Sequence, residues 1–244
     1  MLYLLIIPAV DIMGGKVVRL VRGDPEQAKS YDYLGDPVTV AKRWESEGAQ
    51  LIHVVDLDAA LGFGENTRII ENITHSVNIP VQVGGGIRSV ERAHRLVDAG
   101  VTRIVLGSLA FKSIESLKLL LENLGSERIV IALDYLNNRV MIGGWRESAH
   151  LTLREAAVFF SSLGVKYFLV TSIKHDGVMM GPDVEGLSRI LDLGVNIMAS
   201  GGIRSLNDIA VLRDLGVYGV IIGRALYEGY FTLKEALKIS LGRE

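Results

Sequence analysis

The 244-residue chain sets 26 Lys and Arg against 28 Asp and Glu, a net charge of −2, and has no cysteine. That balance excludes a basic nucleic-acid surface, and the missing thiols exclude disulfides, thiolate metal sites and a cysteine nucleophile. Apolar residues make up 49% of the chain, but no run reaches the roughly 18 uncharged apolar residues that a membrane span needs. The opening MLYLLIIPAV lacks a basic start and runs directly into Asp11. It reads as a buried first strand rather than a signal peptide, and the expected compartment is the cytoplasm.

Short β-branched runs then follow in order: LLIIPAV (4–10), LIHVV (51–55), IPVQV (79–83), RIVLG (103–107), RIVIAL (128–133), YFLV (167–170), NIMAS (196–200) and YGVIIG (218–223). Helical stretches separate them. Asp36-Pro37 reads as an N-cap and first helical position, and Gly48, Gly100, Gly164 and Gly216 as helix ends. Continuous apolar strands alternating with helices predict a parallel sheet covered on both faces. With no composition break, residues 1–244 are expected to form a single α/β domain.

A repeat narrows the fold. GGIRSVERAHRLVDAGVTRIVLG (85–107) aligns without a gap on GGIRSLNDIAVLRDLGVYGVIIG (201–223), 116 residues later. IIPAVDIMGGKVV (6–18) likewise resembles IVIALDYLNNRVM (129–141), placing Asp11 on Asp134. Units one to four thus recur as five to eight, which predicts a (β/α)8 TIM barrel built from two (β/α)4 halves. An open doubly wound sheet also alternates strands and helices, but it does not ordinarily give eight units with a half-length repeat.

In such barrels the loops after the strands carry the chemistry. Gly84-Gly85-Gly86 follows strand three and Ser200-Gly201-Gly202 follows strand seven, each leading through Ile-Arg-Ser into a helix. Glycine lets backbone N–H groups approach a phosphate, and the helix start adds a positive dipole end. Strands four and eight end in Gly107-Ser108 and Gly223-Arg224, which complete one phosphate site per half. A lone Gly-Gly pair reads equally well as a tight turn, whereas two in register do not. Arg88 and Arg204 can point back along their helices and are not taken as ligands. Two sites on opposite sides of one mouth call for a small-molecule substrate with a phosphate at each end.

Asp11 and Asp134 end strands one and five, where an apolar strand closing in a carboxylate points to acid–base use; a loop-capping aspartate is the plainer alternative. Strand six leads into Thr171, then Asp176 on a glycine-flanked loop that also holds Gly181. Asp176 is a third acid candidate, Thr171 a neutral hydrogen-bonding one, and Gly181 a further binding candidate. Asp56 and Asp58 occupy a comparable rim position, and His53, inside its strand, reads as a core histidine. The five scattered histidines show no metal-ligand spacing, so neither metal nor cofactor is expected. Acid–base groups between two phosphate grips fit proton-transfer isomerisation.

The motifs PAVDIMGGKVVRLVRG (8–23), HVVDLDAALG (53–62), VGGGIRS (83–89), ALD (132–134), GGW (143–145), TSIKHDGVMMGPD (171–183), ASGGIRS (199–205) and IIGRALYEG (221–229), in this order, closely resemble the phosphoribosylformimino-aminoimidazole carboxamide ribotide isomerases of histidine biosynthesis. The resemblance covers essentially the whole chain. It implies an Amadori rearrangement of an aminoaldose to an aminoketose, on a substrate bearing two ribose phosphates. It makes Asp11 the general base at C2, Asp134 or Asp176 the acid that opens the ribose ring, and Thr171 an assistant nearby. It places Arg19 and Trp145 on mobile loops that contact or stack on the substrate; a solvated arginine and a packing tryptophan are the plainer readings. No obligate protein partner is implied, and a monomer is expected.

Two departures stand out. Many relatives read Thr-Asp-Ile where this chain has Thr171-Ser172-Ile173. Relatives that also isomerise phosphoribosylanthranilate can carry an arginine at the place of Gly143; its absence here weakens the bifunctional reading, which is kept as the alternative expectation. The sister cyclase of the same pathway shares the repeat but typically opens with Cys-Leu-Asp and needs a glutaminase partner. A non-catalytic phosphometabolite-binding barrel is a further rival.

Overall fold

Each of the eight β-branched runs forms a strand in the computed structural model, which describes residues 3–21 and 23–242. Met1 and Leu2 of the opening run, and Arg22 of the 8–23 motif, lie outside the described residues. The barrel strands are β1 (Leu5–Met13), β2 (Ile52–Asp56), β3 (Val81–Gly84), β4 (Arg103–Leu106), β5 (Ile129–Leu136), β6 (Tyr167–Ser172), β7 (Asn196–Ser200) and β8 (Gly219–Ile222). All neighbours pair in parallel, and the β8–β1 and β5–β6 pairings close the ring.

The helices are α1 (Pro37–Ser46), α2 (Leu57–Leu61), α3 (Thr67–Ser76), α4 (Val90–Asp98), α5 (Ser108–Lys112), α6 (Ile114–Leu124), α7 (Leu153–Ser162), α8 (Val184–Ser188), α9 (Leu206–Leu215), α10 (Arg224–Tyr227) and α11 (Leu233–Ser240). Their starts follow local chemistry. The Asp36 side chain accepts from the Thr39 amide at 2.7 Å, with Pro37 filling the first helical position. Thr152, Ser205 and Thr232 complete reciprocal capping boxes; each such cap stabilises its helix by about 1 kcal/mol. No described helix is long and apolar enough to cross a membrane.

Alternation along the strands divides the core in two. Leu5, Ile7, Ala9, Val105, Val130, Leu169, Met198 and Ile221 fill the barrel interior. Ile6, Val10, Val54, Val83, Ile104, Ile131, Phe168 and Val220 face the helices and form the larger cluster. The barrel is thus a packed plug, and the only layer left for chemistry is its C-terminal rim.

Two β-hairpins on this rim were not expected from the sequence. β1 continues through Gly14-Gly15 into an outer strand, Lys16–Val21, which pairs with Asp24–Ser30. β5 continues through Asn137-Asn138 into Arg139–Ile142, which pairs with Glu147–Thr152. Both turns hold two residues at positive φ, 56° and 75° in the first and 50° and 64° in the second. That is the backbone of a tight hairpin turn, for which Gly and Asn are suited. The half-barrel repeat therefore includes a hairpin arm on each half.

Candidate active site

The rim is built from equivalent positions of the two halves. Asp11 ends one half's first strand and Asp134 the other's, four strands apart in a ring of eight. Thr171 lies beside Asp134 in the β5–β6 register, where its hydroxyl works against the rise of the Asp134 carboxyl. The burial of Asp11, Asp134 and Asp176 raises all three above the usual carboxylate range, and mutual repulsion adds to it, since the charge of Asp176 acts on both others. The structure thus brings the three acid candidates and Thr171 together.

Each opposed carboxylate is met by its own hairpin arm. Arg19 Nη1 donates to Asp11 Oδ2 at 2.6 Å, while Asp11 Oδ1, also buried, has no partner among the described residues. Trp145 Nε1 donates to Asp134 Oδ2 at 2.8 Å. Trp145 has φ 67°, after Gly143 at 64° and Gly144 at 67°. This left-handed run is unfavourable for a large side chain and turns the indole back over the mouth. The arms touch where a Cβ on Gly23 would lie 2.9 Å from the Trp145 ring. Arg19 sits on a paired strand of the first arm, its guanidinium packed on Gly223.

The phosphate candidates have the backbone an anion site needs. Gly85, Gly86, Gly201 and Gly202 have φ of 95°, 64°, 91° and 85°, and their amides donate to no other group among the described residues. Consecutive free N–H groups of this kind form an anion-binding concavity. Only glycine fits here: a Cβ on Gly85 or Gly86 would strike the backbone of Asp56 or Ala59, and one on Gly202 the carbonyl of Gly181. Gly84 ends β3, Ser200 ends β7, and Gly107 and Gly223 precede α5 and α10 at matching places. Ser108 Oγ accepts from the Gly143 amide at 2.8 Å, tying the second arm to the β4 site.

Two expected ligands are placed differently. Gly181 donates its amide to Gly202 O at 2.8 Å, so it secures the β6 loop and has no donor to offer a phosphate. The Arg224 guanidinium bonds Gly177 O at 2.7 Å and Glu228 at 3.0 Å, leaving its backbone amide at the helix start. Arg88 Nη1 and Nη2 donate to Ala59 O and Ala60 O, a structural role.

The rim aspartates after β2 are likewise structural. Asp56 is fully buried, caps α2 through the Ala59 amide, and pairs with Arg92 Nη2 at 2.8 Å. Asp58 accepts from the Gly14 amide at 2.8 Å and so holds the turn of the first arm. Ser172 faces away from the mouth and donates to Asp183 at 3.3 Å, so the Thr-Ser-Ile departure does not alter the rim.

His53 and Gln82 form a buried polar pair beneath the rim, Nδ1 to Nε2 at 3.1 Å. The repeat places Leu169 and Met198 at these positions in the other half. Burial, helped by the Arg19 charge, pushes the His53 imidazole down to about 3, so it is neutral and accepts at Nδ1. The unfolded chain takes up this proton near pH 6.5 and the folded chain does not. The stability it contributes is therefore complete above that pH and is lost as the pH falls from about 6.5 toward about 3. Between pH 7 and pH 5 the loss should be about 2 kcal/mol. His53→Leu/Gln82→Met, which copies the other half, should remove that component from urea unfolding curves; an unchanged pH slope would contradict this account of His53.

Fold and site together define a two-halved (β/α)8 barrel whose rim sets buried, opposed carboxylates between two glycine-lined anion loops. The histidine biosynthesis protein family model matches residues 5–232. A 1-(5-phosphoribosyl)-5-((5-phosphoribosylamino)methylideneamino) imidazole-4-carboxamide isomerase of Methanothermobacter thermautotrophicus is 45% identical, over 96% of this chain and 98% of its own. Proteins of the same name from Cenarchaeum symbiosum and Methanocaldococcus jannaschii are 42% and 41% identical, over 95% and 97% of this chain and 98% and 99% of theirs. The chain belongs to the histidine biosynthesis protein family.

Proposed function

We propose that the chain isomerises the bisphosphorylated aminoaldose of histidine biosynthesis to its aminoketose by an Amadori rearrangement. The observation that carries this reading is the pair of glycine loops with free amides on either side of Asp11, Asp134 and Asp176. The relatives' names contain two 5-phosphoribosyl groups, which suits two anion loops. They name the imidazole carboxamide isomerase alone, which gives the anthranilate alternative no support.

In the reaction, an acid first protonates the ribose ring oxygen and the ring opens to a protonated imine. A base then removes the C2 proton, and the resulting enolamine becomes the ketose. Asp11 is assigned the C2 proton, because Oδ1 is buried and without a partner while Arg19 holds Oδ2. Asp176 is assigned the ring oxygen. Trp145 donates to Asp134 and Thr171 lies beside it, and both favour its carboxylate form. Asp176 is raised by its burial, which the Arg19 charge and then the Gly177 amide oppose, and this rise favours the protonated acid. Asp134 then orients Trp145 and stabilises the imine cation.

The test is conversion of the aminoaldose by the purified chain alone, followed by chromatography of the product. We expect the aminoketose without ammonia, metal or a second protein. Conversion only with ammonia would favour the sister cyclase, and binding without conversion a non-catalytic barrel.

A further inference from the structure

The two anion loops rest on unlike neighbours. Gly85 and Gly86 press on the backbone of Asp56 and Ala59, in and beside α2, where no acid candidate sits. Gly201 and Gly202 press instead on the β6 loop that presents Asp176. A Cβ on Gly201 would lie 3.4 Å from the Asp176 backbone, and one on Gly202 3.0 Å from the His175 Cβ.

One hydrogen bond within this loop and one from it to the β7 anion loop form a continuous chain. His175 Nδ1 lies 2.7 Å from Gly181 O, and a carbonyl only accepts, so Nδ1 carries the proton and donates. The Gly181 amide then donates to Gly202 O at 2.8 Å. On the other side of Asp176, Arg224 holds Gly177 O at 2.7 Å from the start of α10. Asp176 is thus fixed through both chain neighbours to the elements that form the C-terminal anion site.

We propose that His175 is a positioning residue, which couples the anion loop after β7 to the placement of Asp176 through the chain His175–Gly181–Gly202. The inference rests on the assignment of Asp176 given above. A phosphate ordering the Gly201 and Gly202 amides would order Gly202 O, then Gly181, then His175 and its neighbour. Among the described residues the β3 anion loop has no such hydrogen-bonded route to Asp176, so the two phosphates have different tasks: one binds, and the other also sets the acid.

The experiment compares wild type, His175→Ala and His175→Asn, whose side-chain amide can replace the Nδ1–H donor. Displacing a reacting group by about 1 Å can cost on the order of 10²-fold. His175→Ala should therefore lower kcat by roughly 10- to 100-fold with little change in KM, and His175→Asn should restore most of the rate. Added to Asp176→Asn, the alanine should cause almost no further loss, because its effect passes through Asp176. Equal losses in both backgrounds, or an unaltered kcat in His175→Ala, would overturn the proposal. Hydrogen exchange supplies a readout free of turnover. Inorganic phosphate should slow exchange over residues 173–181 in wild type and His175→Asn, and not in His175→Ala. Identical protection in all three, or none in wild type, would overturn the coupling. If the wild type protects this loop yet fails to isomerise, the proposed function falls and the coupling stands.

Discussion

Asp11→Asn should lower the isomerisation rate by about 10²–10⁴-fold, the usual contribution of a positioned acid–base group, while the protein still binds substrate. The substitution keeps shape and an oxygen for Arg19, now 2.6 Å from Oδ2, but it removes the lone pair that takes the C2 proton. Burial already raises this carboxyl, and the Arg19 guanidinium works against that rise. The same balance makes Asp11 a stronger base than an exposed aspartate, with Arg19 favouring its carboxylate form. Since the anion loops lie on other strands, binding measured by calorimetry should stay near the wild-type value. Near-normal turnover in this variant would remove Asp11 from the mechanism; lost binding with an intact fold would make it a substrate ligand instead.

The second large effect concerns stability. Arg92→Leu should destabilise the protein by about 3–5 kcal/mol, because it strands a buried charge. Asp56 is fully buried; besides Arg92 at 2.8 Å it accepts from the Ala59 amide at 3.1 Å and from both nitrogens of Asn66 at 2.9 and 2.8 Å. Those donors soften the loss without replacing the cation. For a chain of this size the melting temperature should fall on the order of 10 °C, read by scanning calorimetry. Asp56→Asn/Arg92→Leu should recover much of it, since the isolated charge is then gone. The β3 anion loop rests on the Asp56 and Ala59 backbone, so KM should rise in the single variant. An unaltered melting temperature would contradict the claim that Arg92 offsets the buried charge of Asp56.

The barrel strands were legible because their β-branched runs are long, regular and repeated. The anion loops were legible because only glycine tolerates both their φ and the backbone beneath them. The hairpin arms were not, although Gly14-Gly15 and Asn137-Asn138 are two-residue turn signals between alternating residues. KVVRLV and RVMI (16–21 and 139–142) read as continuations of the preceding strand rather than as partners folded back on it. Side-chain pairings were harder still. Arg19, Asp56 and Trp145 find their partners across strands or arms, and no periodicity encodes such contacts. Even the repeat misleads here: the places of Asp56 and Arg92 are taken in the second half by Ser172 and Asp208. Asp208 instead accepts from the Arg204 and Ser205 amides, both at 2.9 Å. The two halves share a fold and a pair of anion loops but differ in what braces them.

The site is built on a duplicated unit, with a glycine loop of free amides on each half and the acids between them. A crystal structure of Asp11→Asn soaked with the bisphosphorylated aminoaldose tests this most directly, since the variant should bind without turning over. One phosphate should lie on the amides of Gly85, Gly86 and Gly107 and the other on those of Gly201, Gly202 and Gly223, with C2 against residue 11 and the ring oxygen toward Asp176. Both phosphates on one side of the mouth, or a ribose C2 remote from residue 11, would contradict the account.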